Sequence, residues 1–459
     1  MIKIHNVSFG YTQEEQILKN INLHINKGEC VLLCGKSGCG KTTVTKLING
    51  LIPHFTDNCR LEGTVTVEGK NVAETQIYEL AEKIGSVFQN PKSQFFNLDS
   101  DTEIVFGLEN AGASPDSINE RLRATTKALN IERLRRRSIF SMSAGEKQSL
   151  AFASSYAMNP HVYVLDEPTA NLDEGAIEVL REQIAKIKEE GKTVLIAEHR
   201  IYFLMDLIDR AVLMEKGEIV RIFTREAFLT LSEDERIKMG LRTLGKKSVC
   251  PFPHIPDHSA EALTVKNLCC KIKENIIFEQ LSFSVKNGDI LGITGSNGAG
   301  KTTLLRCIAG LIKQSEGELL LDGRPLNKKT RNRLCYLIMQ DVNHQLFSDS
   351  LWNECELSGG EAEEGKIEEV LHQFDLSEWK HSHPMALSGG QKQRLAIAAG
   401  VLQDKKIVLF DEPTSGLDYE HMLAVSATIK GLAQKGHIVI IVTHDTEFLE
   451  CTCNRTIVL

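Results

Sequence analysis

The sequence predicts an α/β protein in which one unit, built around a parallel sheet, is written twice. Three observations predict this. The stretch Gly35, Lys36, Ser37, Gly38, Cys39, Gly40, Lys41, Thr42, Thr43 returns as Gly295, Ser296, Asn297, Gly298, Ala299, Gly300, Lys301, Thr302, Thr303. Each copy stands between a short apolar run (residues 30–34; 290–294) and a helical pattern (44–51; 304–311). Later apolar runs rich in β-branched residues, at 162–165 and 193–197 and again at 407–410 and 438–443, alternate with helical patterns and read as parallel strands.

In order along the first copy, residues 2–9 and 21–25 are strand patterns, and Lys27-Gly28 turns the chain into the buried strand before the repeated stretch. The second copy repeats this at 263–269, 281–285 and Asn287-Gly288. Helical stretches follow at 117–129 and 366–374. The second copy is shorter between Lys301 and Ser388 than the first between Lys41 and Ser143, with most of the difference expected around 52–63. Residues 211–214, Lys216-Gly217 and 218–221 read as a closing hairpin whose second half has no counterpart before Leu459, and 225–241 reads as helical. Pro251, Pro253 and Pro256 mark a linker, so the expected domains are 1–245 and 261–459, joined by 246–260.

Composition bounds the function. Apolar content is 42%, charged content 25% and net charge −8, which argues against direct nucleic-acid binding. The one dense basic patch, Arg133 to Arg137, reads as a solvated helix face. No run approaches the ~18 apolar residues that span a membrane, and no signal peptide is expected at the strand-like start. The twelve cysteines are expected as free thiols, and Cys269-Cys270 and Cys451/Cys453 lack zinc-site spacing.

Both repeated stretches read G-x-x-x-x-G-K-[ST] in strand–loop–helix context, the pattern of a phosphate-binding loop. Glycines let successive N–H groups converge on phosphate oxygens, and the helix N-terminus adds its positive end. Lys41 and Lys301 would reach the β- and γ-phosphates, and Thr42 and Thr302 would ligate Mg²⁺. The runs 162–165 and 407–410 end in Asp166-Glu167 and Asp411-Glu412. The aspartates would hold Mg²⁺ through its waters, and the glutamates would orient and polarise an attacking water. Gln89 and Gln340 each follow a short apolar run, within reach of metal or water. His199 and His444 each end a strand 32 residues beyond the glutamate, placed to contact a γ-phosphate. Ser388-Gly389-Gly390, within Leu387 to Arg394, opens a helix as a further anion cradle. Its counterpart is Ser143-Ala144-Gly145.

Phosphate loop, Gln loop, LSGGQ, Asp-Glu strand end and switch His, in this order and twice, resemble the tandem P-loop ATPases of the ATP-binding-cassette (ABC) family. A second LSGGE at Leu357–Glu361 stands only 17 residues after Gln340 and is read as a loop. The resemblance implies two cassettes, each with a parallel-sheet core, an antiparallel β subdomain and an α-helical signature subdomain. It implies ATP sites shared between cassettes of one chain. One would combine Lys41, Gln89, Glu167 and His199 with Ser388, Gly389 and Gly390. The other would combine Lys301, Gln340, Glu412 and His444 with Ser143, Ala144 and Gly145. Both are expected to hydrolyse ATP. Tyr11 sits where the family stacks an aromatic on adenine, whereas the matching Lys271 offers an alkyl stem, and Ala144 adds a methyl; the second site is therefore expected to bind ATP more weakly. Cys39, beside a helix N-terminus, reads either as packing filler or as an alkylation-sensitive thiol protected by ATP.

Extensions of the motifs narrow the resemblance. Phe88 to Phe95, Met339 to Phe347, Asn49 to His54 and Ala197-Glu198-His199-Arg200 are similar to the tandem ATPase of energy-coupling-factor importers of vitamins and metal ions. That implies a peripheral position on the cytoplasmic face of the cell membrane. The partners would be a transmembrane coupling subunit and a substrate-binding membrane subunit. Gln94, Phe95, Phe96, Gln345, Leu346 and Phe347 would line the coupling groove. A tandem sugar-importer ATPase is the nearer alternative. A translation or ribosome factor is the further one, disfavoured by the short Pro-rich linker and the acidic charge. The absence of a long coiled coil between Lys41 and Ser143 excludes a chromosome-maintenance ATPase.

Overall fold

The computed structural model describes residues 1–170, 172–246, 261–273, 275–359 and 364–459. Apart from Lys246, the expected linker lies outside the described residues. The chain divides into two units, Met1–Lys246 and Lys247–Leu459.

The first unit carries strands β1 (Ile2–Gly10), β2 (Leu18–Ile25), β3 (Cys30–Gly35), β4 (Arg60–Val67), β5 (Lys70–Asn71), β6 (Ile84–Val87), β7 (Val162–Asp166), β8 (Thr193–Ala197), β9 (Arg210–Glu215) and β10 (Glu218–Thr224). One sheet, in the order β2-β1-β4-β5, is antiparallel, and the other runs β10-β9-β3-β8-β7-β6. Its strands β9 through β6 are parallel, and β10 closes it as an antiparallel hairpin partner of β9.

The second unit repeats the plan with β11 (Glu261–Ile272), β12 (Asn275–Lys286), β13 (Ile290–Thr294), β14 (Glu316–Leu321), β15 (Arg324–Pro325), β16 (Cys335–Ile338), β17 (Ile407–Asp411), β18 (Ile438–Val442) and β19 (Arg455–Val458). The antiparallel order is β12-β11-β14-β15, and the parallel sheet is β16-β17-β18-β13-β19.

Period-two alternation decides which core each side chain joins. Val31 and Leu33 of β3 pack with Val164 of β7, Leu195 of β8 and the helical residues Val44 and Leu47. Cys30, Leu32 and Cys34 point the other way, to Tyr163, Leu165, Ile196 and the signature-helix residues Leu150 and Phe152. Every residue of β3 and β8 is therefore buried, as expected of a parallel sheet covered on both faces. Each Leu, Val or Ile so buried contributes about 1.5–3 kcal/mol.

Because β3, β8 and β7 are adjacent and parallel, their C-terminal ends leave the sheet along one edge. That edge collects the phosphate loop, His199 and the Asp166-Glu167 pair, as open α/β sheets do.

Four expectations change. Residues 225–241 are two short helices, Arg225–Leu229 and Glu233–Lys238, because Ser232 forms a capping box with Glu235 and starts a new one. The length difference between copies is not concentrated at 52–63: β4 already begins at Arg60, and the rest is spread before Gln89 and between Glu103 and Ser143. The basic patch is no helix face. Only Glu132–Leu134 turn, as a 3₁₀ segment, and Arg135 and Arg137 then pair with Asp101 (3.0 Å) and Glu146 (2.6 Å). The second LSGGE is not a loop where it is described, since Leu357 to Gly359 complete the helix Leu351–Gly359.

Candidate functional site

The phosphate loop needs glycine at its hinges. Gly35 has φ +139°, and a Cβ there would lie 2.2 Å from the Met214 carbonyl oxygen; Gly40 has φ +102°, with Leu18 2.5 Å from a Cβ. Gly295 and Gly300 repeat this with φ +149° and +95°. The helices that follow, Lys41–Ile48 and Lys301–Ile308, have no side chain capping their N-termini. By contrast, Asp99, Ser114, Ser143 and Asp173 cap the helices Ser100–Asn110, Pro115–Ala128, Ala144–Ala157 and Glu174–Glu189. Helix ends without a side-chain cap are the kind that receive an anion.

Lys41 and Lys301 are buried, and their ammonium groups curl over the loop. Lys41 Nζ donates to the carbonyls of Gly35 (3.0 Å) and Lys36 (3.1 Å), and Lys301 Nζ to those of Gly295 (2.8 Å) and Ser296 (2.9 Å). Thr42 Oγ1 donates to Asp166 Oδ1 at 3.1 Å, and Thr302 Oγ1 to Asp411 Oδ1 at the same distance. Burial, then the charge of Glu167, push Asp166 up to about 6; burial also raises Asp411. A cation between hydroxyl and carboxylate would offset that cost.

Glu167 and Glu412 both sit in the left-handed region, with φ 42° and 51°, and donate their N–H to the ends of β8 and β18 (Ala197 O and Val442 O, both 2.8 Å). This strained backbone, invisible in the sequence, turns each carboxylate off its strand. In the first unit Gln89 Nε2 donates to Glu167 Oε2 (2.7 Å), and His199 Nε2 lies 3.3 Å from Oε1. In the second, Thr443 Oγ1 donates to Glu412 Oε2 (2.9 Å), and His444 Nε2 lies 3.6 Å from Oε1 and 3.0 Å from Asn297 Oδ1. Gln340 follows β16 as Gln89 follows β6.

Ser143 and Ser388 are helix N-caps, each in a capping box with Glu146 and Gln391. Their oxygens accept an N–H, which leaves each hydroxyl hydrogen to donate outward. A Cβ at Gly145 would meet Ala176 at 2.6 Å, whereas one at Gly389 meets nothing within 4 Å, so the Ala144 methyl costs its own unit no packing. Tyr11, 37% exposed, is held edge-to-face on Phe9 at 4.9 Å. It stands in the loop between β1 and β2, while Lys271 lies within β11, paired to Ile276 of β12.

Cys39 falls on the packing side of its two readings. It is 3% exposed and packs into the core, and burial pushes its thiol up despite the nearby Lys41. Desolvation of the thiolate outweighs the helix terminus. Maleimide treatment of the native chain, followed by peptide mass spectrometry, is expected to leave Cys39 unlabelled while labelling the half-buried Cys59.

The residues after the Gln loops also sort differently. Gln94 binds its own strand end (Phe88 N, 2.9 Å; Ser86 O, 2.9 Å), and Gln345 does the same (Met339 N, 2.7 Å; Leu337 O, 2.7 Å). Leu346 is buried and Phe95 packs on the core. Only Phe96 and Phe347 of the six are presented, at 74% and 78% exposure. Sequence reasoning missed Glu103 and Glu354, whose carboxylates accept the N–H groups of Phe96 and Asn97 (3.0 and 2.8 Å) and of Phe347 and Ser348 (both 2.8 Å). Their identical spacing from Gln89 and Gln340 was the available signal. In the first unit Phe96 stacks on Phe106 (5.1 Å) beside a cleft of about 180 Å³ also lined by Gln94, Phe95, Ala151 and Met158. Among the described residues no helix is long and apolar enough to cross a membrane.

The family model described as ABC transporter matches residues 18–170 and 278–415. A protein of Treponema denticola, provisionally named ABC transporter ATP-binding protein, is 47% identical over all of this chain and 95% of its own length. A protein of Bacillus subtilis, provisionally named HMP/thiamine import ATP-binding protein YkoD, is 32% identical over all of this chain and 90% of its own. A ribosome-bound archaeal ABCE1 structure matches with TM-score 0.69 at 21% identity, over 99% of this chain and 76% of that one, a likeness of fold.

Proposed function

Because the chain belongs to the ABC transporter family and is an ATPase, we propose that it is the energy-coupling subunit of an importer of the energy-coupling-factor type, acting peripherally at the cytoplasmic face of the membrane. The observation that carries this reading is that, in both units, a strand-end glutamate lies beside a histidine at the phosphate-loop edge, together with an aromatic presented just after the Gln loop. In the first unit that aromatic borders a cleft of about 180 Å³, a volume suited to a partner's side chain. The import-type name of the Bacillus subtilis relative supports the direction of transport.

In the proposed reaction Lys41 and Lys301 leave their loop carbonyls for phosphate oxygens, where their charge offsets that of the transferring group. Glu167, held by Gln89 and His199, orients a water whose oxygen attacks the γ-phosphorus as the bond to the β-phosphate breaks. Glu412 does the same, held by Thr443 and His444. Each hydroxyl–carboxylate pair, Thr42 with Asp166 and Thr302 with Asp411, fits Mg²⁺. The donors are hard oxygens and few, as for a metal shared with substrate phosphates, and no group of three or more His, Cys, Asp or Glu suited to a metal occurs among the described residues. A Mg²⁺ held by these pairs would supply positive charge against that of the phosphates.

The two sites are proposed to differ in affinity. Tyr11→Ala is expected to weaken nucleotide binding at the first site by about 1–3 kcal/mol, and the second site to be the weaker in the unaltered chain. Equal affinities, titrated in chains with one phosphate loop disabled, would remove this part of the reading. The importer reading is tested by purifying the tagged chain from membranes. A transmembrane scaffold with a second hydrophobic subunit supports it, and ribosomes or no membrane protein overturn it.

A further inference from the structure

The two units hold their switch histidines by different wiring. In the first, Glu198 precedes His199 and is 3% exposed. Its Oε2 accepts from Thr169 Oγ1 (2.8 Å) and Thr169 N (3.2 Å); its Oε1 accepts from His199 N (2.7 Å) and Arg200 N (3.1 Å). One buried carboxylate thus ties the end of β8 to the segment just beyond Glu167. In the second unit Thr443 stands before the histidine and Asp445 after it. Asp445 Oδ2 accepts from Thr414 Oγ1 (2.8 Å), Thr414 being the counterpart of Thr169, while Thr443 Oγ1 is free to donate to Glu412 (2.9 Å). The tie is the same, but it is made from the opposite side of the histidine.

We propose that Glu198 is a positioning residue for hydrolysis in the first unit, coupling His199 to the Glu167–Thr169 segment so that both move together, and that Asp445 with Thr443 replaces it in the second. The inference rests on the ATPase reading of this edge. Four donors converge on the Glu198 carboxylate, which makes an acceptor-only group the one that fits: a glutamine would turn its NH₂ toward an N–H or a hydroxyl donor. Burial, then the neighbouring Glu167, raise the Glu198 pKa, and the hydrogen bonds from Thr169 and His199 counter that rise in part.

The test is ATP turnover by the full chain carrying Glu412→Gln, which leaves the first site to report. If that change alone stops turnover, the sites are coupled, and the unaltered chain then reports the loss in full. Glu198→Thr is expected to lower kcat by about 10- to 100-fold with KM for ATP within about twofold, because geometry and not binding is lost. Adding Arg200→Asp installs the second unit's wiring and is expected to restore kcat to within about threefold of the starting value. Thr169→Val, which keeps the volume and removes only the hydroxyl, is expected to lower kcat in the same direction by about 5- to 10-fold, and it reports even if Glu198→Thr folds poorly. An unchanged kcat in Glu198→Thr or Thr169→Val, a KM rising in proportion, or no recovery with Arg200→Asp overturns the proposal. Residual hydrolysis in a chain with both Glu167→Gln and Glu412→Gln is a separate result, and it would overturn the reading of the edge itself.

Discussion

Replacing Glu167 and Glu412 together by Gln is expected to lower ATP turnover by about 10²- to 10⁴-fold while nucleotide affinity changes less than about twofold. Gln keeps the volume and, through its main chain, the N–H contacts to Ala197 and Val442 that hold these residues at positive φ. What it removes is the negative oxygen that turns a water toward phosphorus. The phosphate loops, with Lys41 and Lys301, are untouched, so binding should persist. Phosphate release and equilibrium nucleotide titration on the same preparations separate the two effects. Equal loss of both would mean that the carboxylates act in binding and not in the chemical step.

Glu103→Ala is expected to reduce recovery of membrane subunits with the tagged chain by at least about tenfold, while turnover of the isolated chain stays within about twofold. The Glu103 carboxylate is 3% exposed and accepts three N–H bonds from Phe96 and Asn97. Each hydrogen bond to a charged group is worth about 1.5–3 kcal/mol, and losing one is enough for a tenfold effect. Removing the carboxylate takes the acceptor from two part-buried main-chain donors and releases the segment that presents Phe96. Phe96→Ala, exposed and therefore cheap for the fold, should give the same phenotype without the packing loss. Quantitative mass spectrometry of the co-purified subunits, beside phosphate release, checks both.

Local pattern made much of this molecule legible. The phosphate loops, the Asp-Glu strand ends and the capped signature serines are each specified within a few residues of chain, and the structure assembles the loops and strand ends because neighbouring parallel strands share a C-terminal edge. What the sequence concealed depends on contacts across tens of residues. Glu198 and Thr169 are far apart in sequence, and nothing in Ala197-Glu-His-Arg reveals that the glutamate turns inward. For Cys39 the reactive reading failed because a helix terminus is a local argument, whereas the burial that raises its thiol comes from the core cluster it joins. Gln94 and Gln345 read as surface recognition residues, yet their amides are spent on the main chain of their own strands. The left-handed backbone at Glu167 and Glu412 leaves no trace in residue type at all.

The uncapped helices after the two phosphate loops carry a consequence for how this protein behaves outside the membrane. An end that no side chain satisfies leaves part of the folded state's free energy to be supplied by whatever anion is dissolved around it, growing as RT ln(1 + [L]/Kd). If the two loops hold phosphate with the different affinities proposed above, the same nucleotide concentration stabilises the two halves by different amounts. The anion content of a storage buffer is then expected to shift thermal stability, read as a melting temperature that rises with added nucleotide or phosphate.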